Sequence, residues 1–161
     1  MHGLMVFLHV LGAFVFVLAH GASALVAFRL RTEREPGRVA ALLDLSSLGI
    51  TVMYIGLVTL LVAGVTAGFT GDHWGRAWIW AAIGILVAVA AAMYALGTTF
   101  YARMRVAAGA DVPAQLAARY DPPPTAADLD AMLASDRPFI LAAIGGIGLA
   151  AIVWLMVAKP F

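Results

Sequence analysis

The sequence predicts an all-α membrane protein, a four-transmembrane-helix bundle running up-down-up-down with both termini on the outer side. Three observations carry that expectation. Apolar stretches at about residues 4–28, 41–69, 78–101 and 138–158 each reach the roughly 20 residues a helix needs to cross a bilayer core. Hydrophobic residues make up 63% of the 161-residue chain and charged ones 12%, a balance that a water-soluble fold of this size could not bury. The third is charge placement: Arg29, Arg31, Arg34, Arg38, Arg103, Arg105, Arg119 and Arg137 fill the first and third connections, against Arg76 and Lys159 elsewhere. Positive charge favours the cytoplasmic side, so the connections at about 29–40 and 102–137 are expected inside.

The first span begins after Met1-His2-Gly3, with no basic stretch before it, and it exceeds the roughly 7–15-residue core of a secretion signal. It reads as a retained membrane helix. Pro36-Gly37 marks the chain reversal that follows. Because the first two connections are short, helices one and two, and then two and three, are expected to be antiparallel neighbours. Trp74, Trp78, Trp80 and Trp154 fall near the outer interface, where amphipathic rings prefer to sit. In the third connection, Asp121-Pro122-Pro123-Pro124 must break any helix. Thr125-Ala126-Ala127-Asp128 then resembles a capping box, opening a short surface helix with Leu129, Met132 and Leu133 on its apolar side. The whole chain, 1–161, is thus one membrane domain with no room for a separate soluble one.

Composition narrows the chemistry. Without cysteine there are no disulfides, thiolate metal sites or cysteine nucleophiles. A net charge of +1 gives no support to nucleic-acid binding. Phosphate-binding glycine loops, zinc-protease helices and serine elbows are absent from the sequence. What remains is small residues and histidines. Gly49, Gly56, Gly64 and Gly68 on helix two, Ala19, Ser23 and Ala27 on helix one, and Gly145, Gly146 and Gly148 on helix four let helices approach closely. They either close the protein's own bundle or face another subunit.

His2, His9 and His20 stand seven and eleven residues apart on helix one. Eighteen residues are five full turns, so all three project from one stripe, with His9 and His20 about 16 Å apart along the axis. Imidazoles facing lipid are costly, so both are expected to point into the bundle or toward a partner. One use is structural, donating to a helix carbonyl or to Thr51, Tyr54, Thr59 or Tyr94. The other is ligation of haem b, with His9 and His20 as axial ligands. The second ligand would be a copy of the same helix or a methionine, and Met93 falls at the depth of His20. A further candidate set, His2, His9, Asp72 and His73, gathers imidazole and carboxylate near the outer surface and suits copper or zinc. Asp44, at the start of helix two, is expected to favour the helix macrodipole or to pair with Arg38 or the helix-one arginines.

The segment Leu8-His9-Val10-Leu11-Gly12-Ala13, followed by a small-residue-rich helix and an arginine-rich turn, resembles the start of a bacterial four-helix membrane family of unknown function. Its layout is similar to the membrane domains of copper-resistance protein D and of HemJ-type protoporphyrinogen oxidases. That resemblance implies a bacterial-type inner (plasma) membrane location and carries over His9 alone as a ligand. It lacks a Tyr-Leu-Pro-Arg-type segment after helix one and a histidine in any later helix. The function expected is therefore a small membrane subunit that joins itself or a larger complex, with a haem- or metal-binding redox protein as the alternative. Single cysteines introduced into this cysteine-free chain at Arg31 and Tyr120 should both label from the cytoplasmic side. Labelling from opposite sides would overturn the four-span topology.

Overall fold

The computed structural model describes residues 1–161 and is entirely helical. Four long helices, α1 (His2–Leu30), α2 (Pro36–Thr70), α3 (Ala77–Ala107) and α6 (Arg137–Ala158), are long and apolar enough to cross a membrane. Two short ones, α4 (Ala114–Ala117) and α5 (Ala126–Ala134), lie in the third connection. The helices overrun the apolar stretches, most clearly α2 and α3. Hydropathy marks where lipid ends, whereas a helix continues into the interface until a cap or a turn stops it. For α2 that start is Glu35, whose carboxylate accepts the Gly37 and Arg38 N–H groups ahead of Pro36 in the first turn.

Helices α1 and α2 form one antiparallel hairpin, and its closest approach is backbone on backbone. A Cβ placed on Gly12 would sit 2.6 Å from the Leu60 nitrogen, and one on Gly56 would sit 2.7 Å from the Phe16 nitrogen. Further along, Gly64 accommodates the His9 ring and Gly49 the Ser23 hydroxyl. Lipid tails are as apolar as leucine, so burial drives nothing at this depth; close van der Waals contact does. Gly12, whose Cβ-less surface the crossing needs, belongs with the packing glycines of α2.

Helix α3 does not run beside α2, as the short second connection suggests; it pairs with α6 instead. Gly148 packs under Val89 and Gly97 under Leu141, again antiparallel. The physical reason is surface shape: α6 offers Gly148 as a hollow for Val89, while the lipid-depth part of α2 spends its glycines on α1. The two hairpins meet along α1 and α6, where Phe28 stacks on Phe139 with ring centroids 5.0 Å apart.

Apolar cores form at the two ends. At the arginine-rich end, Leu30, Val39, Leu43, Phe100, Met104, Ala108, Leu129 and Leu133 are all buried together. Here water is close by, so the hydrophobic effect operates in its ordinary way. Helix α5 supplies Leu129 and Leu133, and its capping box is formed: Asp128 N–H donates to the Thr125 hydroxyl and Thr125 N–H to the Asp128 carboxylate. At the opposite, aromatic end, Trp78, Ile79, Ala82 and Leu155 make the smaller core.

Ion pairs clamp the arginine-rich end. Arg105, with only 19% of its side chain exposed, reaches from α3 to Asp44 of α2 at 2.6 Å and to the Ser47 hydroxyl at 2.8 Å. Asp44 therefore pairs with α3 rather than with Arg38 or the arginines of α1. Arg31 bonds Asp136 at 2.8 Å and Arg103 bonds Asp128 at 2.7 Å, tying α1 to α6 and α3 to α5. The backbone N–H of Thr125, its hydroxyl and Arg103 hold the Asp128 carboxyl below the usual carboxylate range, against a smaller effect of burial.

Gly12→Ala and Gly56→Ala should each lower the stability of the detergent-purified protein by about 1–3 kcal/mol through overpacking. Gly146→Ala, where an added Cβ meets nothing within 4 Å, should leave thermal unfolding unchanged. Equal behaviour of all three would show that the glycine crossing does not limit stability.

Candidate functional site

The helix-one histidines keep their common stripe but meet three different environments. His9 enters the α1–α2 interface beside Gly64 and bonds the Leu60 carbonyl through Nδ1 at 2.8 Å. A carbonyl oxygen only accepts, so Nδ1 carries the proton and Nε2 keeps its lone pair. The same carbonyl has a second lone pair for its own helix. Thr59, one of the hydroxyls that could have served His9, donates instead to Ile55 in its own helix.

His20 leaves that interface and turns to α6. A Cβ on Gly145 would sit 2.8 Å from its Nε2, so only glycine leaves room for the imidazole. Phe16, one turn earlier, stacks parallel to the ring with centroids 5.9 Å apart. Register places Met93 at the same level. Val89 meets Gly148 and Gly97 meets Leu141, so Met93, four residues from each on α3, falls opposite Ile144 and Gly145. The imidazole on α1 thus occupies the glycine of α6, and Met93 shares its level on α3 by register alone.

At the aromatic end, His2 and His73 converge on Gly71. Their rings lie 6.0 Å apart, edge to face, and a Cβ on Gly71 would come within 2.7 Å of each. His2 Nδ1 bonds the Thr70 hydroxyl at 3.0 Å, while that hydroxyl donates to the Thr66 carbonyl. Thr70 therefore accepts from His2, which leaves His2 Nε2 as the open nitrogen. His9 lies about 10 Å below His2 along the helix. Asp72 adopts a left-handed backbone, φ 53°, and is exposed. No group of three histidine or acidic side chains gathers to hold a metal. Trp74 lies over Gly68 with its indole N–H buried and unpaired, while Trp80 donates to the Trp74 carbonyl at 3.0 Å.

The feature that sequence reasoning missed is the mouth of the α1–α2 hairpin. Glu33 is buried between Arg29 and Arg38, and its Oε1 accepts the N–H groups of Arg34 and Glu35. Those backbone donors, with Arg29 and Arg38, keep its carboxyl below the usual glutamate range, overcoming the effect of burial. The only signal in the chain was an acid amid four arginines, which reads equally as a solvated turn.

The arrangement contains hydrogen-bonded imidazoles, a helix-packing framework and no hydrolytic constellation. No curated protein and no solved structure matches the chain. A family profile covers residues 3–160, nearly every residue of the four spans and their connections. On that coverage the chain belongs to DUF2269, a family described as predicted integral membrane proteins.

Proposed function

We propose that this chain is a small subunit of the bacterial-type plasma membrane, arginine-rich end inward, that works by associating with itself or with a larger membrane complex. One observation carries the reading. On the outer face of α3, Gly84, Ala88, Ala91 and Ala95 are all exposed in one stripe, and beside them Tyr94 is 73% exposed. No intramolecular hydrogen bond engages the Tyr94 hydroxyl, and an unsatisfied hydroxyl at lipid depth is costly. A second helix against this stripe would pack closely and offer that hydroxyl an acceptor. Gentle detergent extraction followed by native mass spectrometry should show an oligomer or a co-purifying partner. Gly84→Leu combined with Ala91→Leu should weaken it at least tenfold, equivalent to about 1.4 kcal/mol. A strict monomer without a partner would overturn the proposal.

A second reading rests on His20. Its ring makes no hydrogen bond within the chain, and Met93 shares its level on α3. His9 has the carbonyl-bound Nδ1 and free Nε2 that orient ligating imidazoles. These residues would suit a haem b or, less well, copper or zinc. The four-span layout, which resembles those of copper-resistance protein D and HemJ-type domains, is compatible with this reading. Under this reading, protein freshly extracted from haem-replete cells shows a Soret band that His20→Ala abolishes. Ligation by two histidines at the level of His20 then requires two chains. A colourless, metal-free preparation would leave the subunit reading alone.

A further inference from the structure

Two adjoining hollows run along the lipid-facing side of the α1–α2 hairpin. One, about 260 Å³, is walled mainly by Ala22, Val26, Leu48 and Val52, with Ser23 and Ser46 also in its lining. The other, about 400 Å³, opens at the arginine-rich end between Arg29, Glu33 and Arg38. Leu45 lines both, so the two adjoin along the hairpin. From Arg38 to Val52 they rise about 21 Å, a little more than one leaflet of hydrocarbon.

Both signs of charge line the mouth. Arg29 and Arg38 stand against Glu33 and Glu35, each pair separated by 3.4 Å. The acids are held in place by the backbone: Glu33 by the N–H groups of Arg34 and Glu35, Glu35 by those of Gly37 and Arg38. The Arg29 and Arg38 side chains are 56% and 73% exposed, and their guanidiniums keep spare N–H donors. A mouth of this kind offers donors for a phosphodiester and, within the same few ångströms, a fixed carboxylate for an ammonium.

We propose that these two hollows together are a binding site for phosphatidylethanolamine. Its phosphate lies between Arg29 and Arg38, its ammonium donates to Glu33 Oε2 beside the Arg29 N–H that this oxygen already accepts at 3.4 Å, and one acyl chain fills the hollow beside Gly49. Charge-assisted hydrogen bonds of this type are the strong ones, and guanidinium matches phosphate geometry. An anionic headgroup such as phosphatidylglycerol could use the arginines but would bring no cation to the Glu33 carboxylate. Phosphatidylcholine carries the same charges as phosphatidylethanolamine, yet its quaternary nitrogen has no N–H to donate.

The test uses the full-length chain, delipidated in detergent and supplied with dioleoyl-phosphatidylethanolamine, -phosphatidylcholine or -phosphatidylglycerol. Native mass spectrometry and thermal unfolding are the readouts. Phosphatidylethanolamine should be retained best and raise the unfolding temperature most. Arg29→Gln with Arg38→Gln should weaken its retention about tenfold. Glu33→Gln should erase the preference over phosphatidylcholine. Because Glu33 also braces the turn, Ala22→Phe provides an independent check. It fills the hollow from an exposed position, so it should reduce retention while leaving unfolding in lipid-free detergent unchanged. Equal retention of the three lipids, a preference for phosphatidylglycerol, undiminished binding by Ala22→Phe, or equal protection by inorganic phosphate would each overturn the proposal.

Discussion

Gly12 and Gly56 bring two helix backbones into contact at a depth where burial of apolar surface stabilises nothing. Side chains at these positions would collide with the main chain of the neighbour, and main chain cannot move aside as a flexible side chain can. The α1–α2 hairpin is therefore the part of the molecule whose geometry is most tightly set. Its tilt and rotation decide where His9 meets the Leu60 carbonyl and how far His20 swings toward α6. They also decide that hollows, rather than a filled seam, remain between Arg38 and Val52.

Different forces hold different depths. In the span, glycine and alanine contacts and hydrogen bonds do the stabilising, and few residues are buried. Toward the arginine-rich end, Leu30, Val39, Leu43, Phe100, Met104, Leu129 and Leu133 form a core of the kind found in soluble proteins. The Arg105–Asp44, Arg31–Asp136 and Arg103–Asp128 pairs surround it. Helix α5 is thereby a plug on the bundle rather than a loose loop, and it closes the gap that α2 and α3 leave by not pairing along their length.

The four spans were legible because hydropathy reports directly on the solvent each segment prefers. The capping box of Thr125 and Asp128 was legible because all its partners lie within four residues. Asp44 was not, since its partner Arg105 is 61 residues away and depends on how far α3 extends beyond the bilayer and how it is rotated. Helix pairing was half legible. Connection length correctly joined α1 to α2, but α3 went to α6 because groove shape outweighs a short tether. For the histidines, periodicity gave the shared stripe, yet a stripe does not name its neighbours. His2 and His73 met across a loop, while His9 took a backbone carbonyl, an acceptor present at every position and so invisible in sequence. The mouth at Glu33 was illegible for a related reason: burial of one acid among exposed arginines is a property of the folded turn alone.

The pairing of α3 with α6 also has a consequence for how the chain is made. Helix α1 can dock on α2 as soon as both have left the ribosome, since only Arg31–Glu35 separates them. Helix α3 has no such immediate partner. The 29 residues from Ala108 to Asp136 must be translated before α6 begins to emerge, on the order of 1–6 s at ordinary elongation rates. During that interval Gly97 and its neighbours present an uncovered groove to the insertion machinery. By the order of translation alone, the α1–α2 hairpin can be complete while α3 still waits for α6.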